Sequence, residues 1–178
     1  SVALSVVLVA VMAHSYTMAA RPAWDSVLWI LYVLGNACVL GPATFALILG
    51  AAGSGERSGA VGLAALAGSA LNAAASIAFS AFLQFSAGSF ADVGYYFDPT
   101  HPTRAMADAA ATVGAQAPLL WLGAVAVGAI VPLAAAFLGK RSGNWRLWVP
   151  VAIIAALIGA VCMRVAFYNL GLSVFMFY

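Results

Sequence analysis

Apolar residues occur in five long runs along the chain, and short polar connections separate these runs. A transmembrane helix needs about 20 mainly apolar residues to cross a hydrocarbon core that is about 30 Å thick. The runs have this length, and they lack the short alternating segments of a membrane β-barrel. The pattern predicts an all-α, polytopic transmembrane helical bundle with spans at roughly 1–19, 26–51, 60–89, 111–138 and 147–176.

The connections predict how these spans are oriented. Residues 139–146 contain Lys140, Arg141 and Arg146 without an acidic residue, so the positive-inside rule places this connection in the cytoplasm. The C-terminus and the longest connection, 90–110, then face outward. Because that connection contains three aspartates and two tyrosines, it is either a docking surface for a protein outside the membrane or an ordinary solvated loop.

Composition supports a membrane environment and excludes some kinds of function. The chain is 65% hydrophobic and 7% charged, whereas soluble domains contain about a quarter charged residues. Its net charge of +2 is too weak and too scattered for a nucleic-acid-binding protein. Cys38 and Cys162 lie far apart in apolar runs, without the clustered spacing of iron–sulfur or zinc ligands. We therefore expect contact with the lipid bilayer, no nucleic-acid partner and no metal cluster on this chain.

The five runs leave no segment long enough for a separate soluble domain. Residues 1–178 are therefore predicted to form a single membrane domain. The chain opens inside an apolar run, without an initiator Met or a positively charged leader. We expect it to lack N-terminal helices of a longer protein.

Arg164 is the most conspicuous polar residue in the apolar runs. Ionisable groups at membrane depth are costly and are candidates for function. Counted from Leu147, Arg164 lies about 25 Å along its helix, in the outer half of the span. Tyr168 follows four residues later on the same helix face, so the pair is suited to hold a polar head group such as a quinone carbonyl. The alternative is an arginine that pairs with backbone carbonyls or a neighbouring helix for structural reasons.

His14 lies near the outer end of the first span, one heptad before Arg21, with Tyr16 and Trp24 close by in sequence. A histidine there can accept or relay a proton from a quinol, although a lone intramembrane histidine is often a hydrogen-bonded packing residue. Two histidines that ligate one haem must lie at the same depth in the membrane. Because the other histidine, His101, belongs to a loop, we expect no haem on this chain.

Other polar and aromatic residues in the spans have structural interpretations. Uncharged amides are predicted to form hydrogen bonds between helices. Tryptophans near span ends are predicted to act mainly as interfacial anchors. The amides are Asn36, Asn72, Gln84 and Gln116, and the tryptophans are Trp24, Trp29, Trp121, Trp145 and Trp148.

Two stretches resemble the anchor subunit of dimethyl sulfoxide reductase. The stretch Met12 to Leu49 is similar to the middle of that subunit: it has a tyrosine, an outward turn with proline and then tryptophan two residues later, and a helix with a Gly-Pro pair, here Gly41-Pro42. The stretch Leu157 to Tyr178 is similar to the last helix of that family. The shared Arg-x-x-Phe-Tyr pattern is here Arg164, Phe167 and Tyr168.

The resemblance implies an eight-helix anchor in the bacterial inner (cytoplasmic) membrane, of which this chain would contain the last five helices. Such anchors bind no haem. They oxidise menaquinol and pass electrons to a ferredoxin-like iron–sulfur subunit with four [4Fe–4S] clusters, which feeds a molybdopterin catalytic subunit. Menaquinol is therefore the expected transient ligand, and these two subunits are the expected partners.

The sequence departs from the family in two places. The histidine and the acidic residue of the family's quinol site lie on early helices that this sequence does not contain. The Gly-Glu pair that often precedes the arginine is here Gly159-Ala160, which removes an acidic partner for Arg164.

On this interpretation the chain is a quinol-oxidising or non-catalytic subunit of an oxidoreductase complex. Arg164 orients the head group, His14 moves a proton and Tyr168 adds a hydrogen bond, while Tyr16, Arg21 and Trp24 line or support the site.

Two alternative functions stay open. One is a small transporter or channel subunit in which Arg164 is a substrate or gating charge, and the other is a purely structural membrane anchor.

Overall fold

The computed structural model describes residues 2–19, 21–51, 55–90 and 109–171, and all regular structure in these ranges is helical. Four of these helices are long and apolar enough to cross a membrane, and a shorter apolar helix precedes them. The prediction of an all-α, multi-pass membrane bundle is therefore confirmed. The elements are α1 (Val2–His14), α2 (Val27–Ala51), α3 (Gly55–Phe90), α4 (Ala109–Ala115), a π-helix (Leu119–Ile130), α5 (Val131–Ser142) and α6 (Trp145–Asn169).

The fourth predicted span differs most from the structure. The apolar run 111–138 predicts one helix, but the structure divides it into α4, the π-helix and α5, and the part that is long and apolar enough to cross a membrane is Leu119–Ser142. Pro118 directly precedes the π-helix, and Pro132 lies in the first turn of α5. Proline has no backbone N–H, so each of these residues interrupts the regular α-helical hydrogen bonding. Apolar composition alone contains no sign of such a division.

The ends of the other helices follow local sequence. α1 ends at His14, before the predicted limit at residue 19, and hydrogen-bonded turns lead from there to α2. Ser26 caps the start of α2, since its Oγ accepts a hydrogen bond from the Leu28 amide over 3.2 Å. α5 ends at Ser142 and is followed by Gly143, whose φ of 68° lies in the left-handed region that glycine adopts readily.

Small residues bring the helices together at two crossings. α2 and α3 share the most extensive interface, where a Cβ on Gly68 would overlap the Cys38 carbonyl. Where the π-helix crosses α6, Gly128 and Gly159 face each other, and a Cβ on either would overlap the Cα of the other. Such close backbone approach is typical of helix packing in lipid.

α1 lies at the edge of the bundle. It packs mainly against α2, and its large apolar side chains, such as Leu4 and Leu8, are mostly exposed. An exposed apolar face of this kind suits contact with lipid.

Side-chain amides connect the helices in the interior, as the sequence predicts. Asn72 on α3 donates a hydrogen bond from Nδ2 to the Gly128 carbonyl over 3.2 Å, and Asn36 on α2 donates to Asn72 Oδ1 over 3.5 Å. Gly128 lies in the π-helix, four residues before Pro132, whose nitrogen has no N–H to donate. Asn72 therefore gives a side-chain donor to a backbone carbonyl to which Pro132 cannot donate.

Two further amide contacts lie toward the other end of the bundle. Gln84 Nε2 donates to the Val113 carbonyl over 3.3 Å, and Asn169 Nδ2 donates to Gln116 Oε1 over 2.9 Å. All four predicted amides thus form hydrogen bonds between helices.

The exposed cations Lys140 and Arg141 lie at one end of the bundle, which we call the basic end. There Arg146 Nη2 donates to the Gly50 carbonyl over 3.2 Å, which ties the start of α6 to the end of α2. The ring of Trp145 packs closely against Gly62 and Gly139. The opposite end is the one at which α1 and α6 finish and α2 begins.

Candidate functional site

Arg164 lies near the end of α6, among three aromatic rings. Its guanidinium carbon is 5.3 Å from the ring centre of Tyr16, 5.2 Å from that of Trp29 and 5.7 Å from that of Tyr168. Tyr16 belongs to the turn after α1, and Trp29 to the first turn of α2. Cations are attracted to ring faces at such distances. We call these four side chains the aromatic cage.

The guanidinium has unused hydrogen-bonding capacity. Nη1 of Arg164 is buried and has no hydrogen-bond partner among the described residues. A buried donor without an acceptor is costly, and more so when it carries a charge. The arrangement therefore favours an additional oxygen acceptor at Nη1.

Stacked rings form the wall behind the cage. Phe167 lies between two indoles: its ring centre is 4.5 Å from that of Trp24, with the planes 6° apart, and 3.8 Å from that of Trp29, with the planes 17° apart. Trp29 in turn stacks on Tyr32 at 5.6 Å. These four side chains are almost fully buried, so they form a rigid, dry surface beside the cation.

A hydrogen bond fixes the stack to the backbone. Trp24 Nε1 donates to the Phe167 carbonyl over 2.7 Å, which connects the turn before α2 to the end of α6. Arg21 lies on the other side of this indole, with its guanidinium carbon 4.2 Å from the ring centre of Trp24. The stack is thus bordered by two cations, Arg164 and Arg21, which favour an electron-rich or anionic oxygen nearby.

One wall of the cage is accessible from outside the bundle. The Tyr168 side chain is 53% exposed, and Tyr16 and Arg164 are half-buried. A flat ring that carries oxygen atoms can approach from this side, stack on aromatic faces and accept a hydrogen bond from Arg164.

The structure brings most of the predicted site residues together. Tyr16 and Tyr168 contact Arg164 directly, and Trp24 and Arg21 belong to the adjoining stack. His14 is exposed at the end of α1, where its Nδ1 lies 3.0 Å from Thr17 Oγ1. The structure gives His14 no contact with the cage among the described residues, and its role as a proton carrier stays a prediction.

Sequence analysis missed three members of this cluster. Trp29 is predicted to be an interfacial anchor, but it is 1% exposed and packs inside the bundle. Tyr32 and Phe167 have no predicted role in the site. The available signals were the spacing of Trp29 and Tyr32 on one face of α2, and the position of Phe167 one turn after Arg164.

Metal-binding residues do not cluster in the part of the chain that the structure describes. No group of three or more His, Cys, Asp or Glu side chains there could hold a metal ion, and Cys38 and Cys162 are both free thiols. The connection 90–110, predicted to face outward, lies almost wholly outside the described residues.

Comparisons with protein-family models, with curated proteins and with solved structures found no match to this chain.

Proposed function

We propose that the chain is the membrane-anchor subunit of a molybdopterin oxidoreductase of the dimethyl sulfoxide reductase type, and that it binds the head group of menaquinol at the aromatic cage. The observation that supports this proposal is Arg164, a membrane-depth cation among aromatic rings with a buried donor that has no partner. The sequence resemblance of α2 and α6 to the anchor family supports the choice of ligand.

In the proposed mechanism, Arg164 donates a hydrogen bond from Nη1 to one oxygen of the head group. Tyr168 contributes its hydroxyl, and the ring of the ligand packs against the aromatic wall. When the quinol loses its first proton, the guanidinium stabilises the resulting anionic oxygen. Oxidation releases two protons and two electrons per quinol. His14 is the proposed proton relay: it takes up the two protons one after the other and releases each outward, while the two electrons pass to an iron–sulfur subunit outside the membrane.

Ligand binding tests the site. Purified protein in mild detergent is titrated with a short-tailed menaquinone while the quenching of tryptophan fluorescence is followed. Arg164→Gln removes the charge and the Nη1 donor, so we expect binding to weaken by about tenfold or more. Arg146→Gln is the matched control, because this arginine lies at the basic end and bonds to the Gly50 carbonyl. Equal affinities of the wild type and Arg164→Gln would contradict the proposal.

Copurification tests the assignment as an anchor. The native protein is purified in mild detergent, and its bound subunits, iron and molybdenum are measured. We expect two larger soluble subunits with stoichiometric iron and molybdenum. A protein without metal or partners would overturn the assignment and favour a small transporter or channel subunit.

A further inference from the structure

One face of α3 carries a row of buried polar side chains, which we call the polar row. Its members are spaced three or four residues apart and therefore share one helix face. Each is at most 1% exposed, and together they extend over about 16 Å of the helix. The polar row consists of Ser69, Asn72, Ser76 and Ser80.

Among the described residues, the serines of this row have no hydrogen-bond partner, unlike several serines at the surface. The exposed Ser15, Ser89 and Ser142 each donate to a backbone carbonyl three or four residues earlier, over 2.7 Å. In contrast, the Oγ atoms of all three serines in the polar row are buried without a partner among the described residues. Buried hydroxyls are normally satisfied by a protein acceptor or by ordered water, and water is the partner that remains for these three.

Polar groups on α2 extend the row toward the aromatic cage. Tyr32 and Asn36 lie one turn apart and interact with each other, and neither the Tyr32 hydroxyl nor Asn36 Oδ1 has a further hydrogen-bond partner in the described part of the chain. Asn36 contacts Asn72 of the polar row, and Tyr32 stacks on Trp29, a wall of the cage. Polar groups therefore continue from the middle of the bundle to the neighbourhood of Arg164.

The other end of the row approaches the basic end. Ser69 lines a cavity of about 10 Å³ together with Trp145 and Trp148 at the start of α6. A volume of about 10–15 Å³ is the least that admits one water molecule, so this cavity lies at the lower limit. The orphaned Ser69 hydroxyl gives such a water a polar partner.

We propose that the polar row and Tyr32 bind a file of ordered water molecules that conducts protons between the basic end and the aromatic cage. Water, serine and tyrosine hydroxyls both donate and accept hydrogen bonds, so a proton can hop along them. Each hop breaks one O–H bond and forms another, and a proton leaves one end as another enters the opposite end. Asn36 and Asn72 orient the file without taking up a proton.

Arg164 blocks the passage of protons at the end of the water file beside the aromatic cage. Its positive charge repels an excess proton, as an arginine does in pores that pass water but exclude protons. An anionic oxygen bound at Nη1 lowers that barrier, which allows exchange of protons with a ligand in the cage. This last role rests on the proposed quinol site, whereas binding of water and passage of protons do not.

Proton flux into liposomes tests the file without any quinone. Purified protein is reconstituted into vesicles that contain a pH-sensitive dye, and a potassium diffusion potential drives protons inward. We expect little flux with the wild type and an increase of about tenfold or more with Arg164→Gln, because the electrostatic barrier is gone.

The serines of the polar row are tested in the same assay. Adding Ser76→Ala and Ser80→Ala to Arg164→Gln should return the flux to the wild-type level. Adding Ser15→Ala and Ser142→Ala instead, as the control, should leave it high.

Infrared difference spectroscopy in H₂¹⁸O detects the bound water directly, in protein that retains Arg164. Internal water bands should be present in the wild type and lost in the double variant Ser76→Ala/Ser80→Ala, while circular dichroism shows the same helix content. The proposal is overturned if these bands do not depend on the serines, if Arg164→Gln does not raise the flux, or if the flux persists without Ser76 and Ser80. Failure of menaquinone binding, by contrast, would refute the quinol site and leave these results unaffected.

Discussion

The ring of Phe167 lies face to face on the ring of Trp29, with 3.8 Å between their centres and 17° between their planes. This contact joins α6 to α2 immediately beside Arg164, whose guanidinium carbon is 5.2 Å from the same indole. The position of the cation and the packing of two membrane helices therefore depend on one pair of rings.

Replacement of Phe167 should weaken the bundle as well as the site. Phe167→Leu removes the stack between Trp24 and Trp29 but keeps an apolar side chain, so we expect the free energy of unfolding to fall by about 1–3 kcal/mol. Reversible unfolding in sodium dodecyl sulfate, followed by circular dichroism, measures this loss. Phe85→Leu is the control, because Phe85 is 89% exposed and should change stability by about 0.5 kcal/mol or less. Equal losses in the two variants would show that the stack contributes nothing specific.

The Tyr168 hydroxyl should contribute to ligand binding but not to folding. Tyr168 is 53% exposed, so Tyr168→Phe leaves the ring near Arg164 and removes only the hydroxyl. Loss of one neutral hydrogen bond should weaken the binding of menaquinone by about three- to tenfold. Fluorescence quenching measures the affinity, and unfolding in detergent should show unchanged stability. Unchanged affinity would remove Tyr168 from the proposed site.

The contact between Gly128 and Gly159 should not tolerate a methyl group. In Gly159→Ala the new Cβ would overlap the Cα of Gly128, so the π-helix and α6 must move apart. We expect a loss of about 1–3 kcal/mol of stability. Gly88→Ala is the matched control, because a Cβ there meets nothing within 4 Å and alanine favours the helix. If both variants unfold at the same detergent concentration, the glycine contact does not determine helix packing.

Loss of the Asn72 amide should remove a hydrogen bond from the Gly128 carbonyl and another from the Asn36 side chain. Asn72→Leu keeps a side chain that branches at Cγ but cannot donate to the Gly128 carbonyl or accept from Asn36. We expect destabilisation by about 1–3 kcal/mol. Asn169→Leu, which breaks the exposed bond to Gln116, should cost about 0.5 kcal/mol or less. A larger effect at Asn169 than at Asn72 would contradict this explanation.

Much of the fold follows from the sequence because the thickness of the bilayer sets the length of the helices. The predicted spans 26–51 and 60–89 coincide closely with α2 and with Ala60–Ser89, the part of α3 that is long and apolar enough to cross a membrane. The spacing of Arg164 and Tyr168 also predicts correctly that they share one helix face. These features depend on residues within one helix, where sequence distance fixes distance in space.

The remaining features depend on contacts between helices, which spacing within one helix does not determine. The position of Trp29 near a span end suggests an interfacial anchor, but the rotation of α2 about its axis turns this side chain into the bundle. The contact between Trp29 and Phe167 depends on how α2 and α6 cross. Sequence analysis also predicts the hydrogen-bonding amides but not their partners, since Asn72 pairs with a carbonyl on the π-helix.

The bond from Trp24 to the Phe167 carbonyl joins residues 143 positions apart in the chain. Synthesis proceeds from the N-terminus, so Trp24 and Trp29 enter the membrane well before Arg164 and Phe167 are made. A nascent or prematurely terminated chain without α6 therefore has most of its spans but no aromatic cage. Only a chain whose translation has passed α6 can form the cage, so incomplete translation products lack the proposed site.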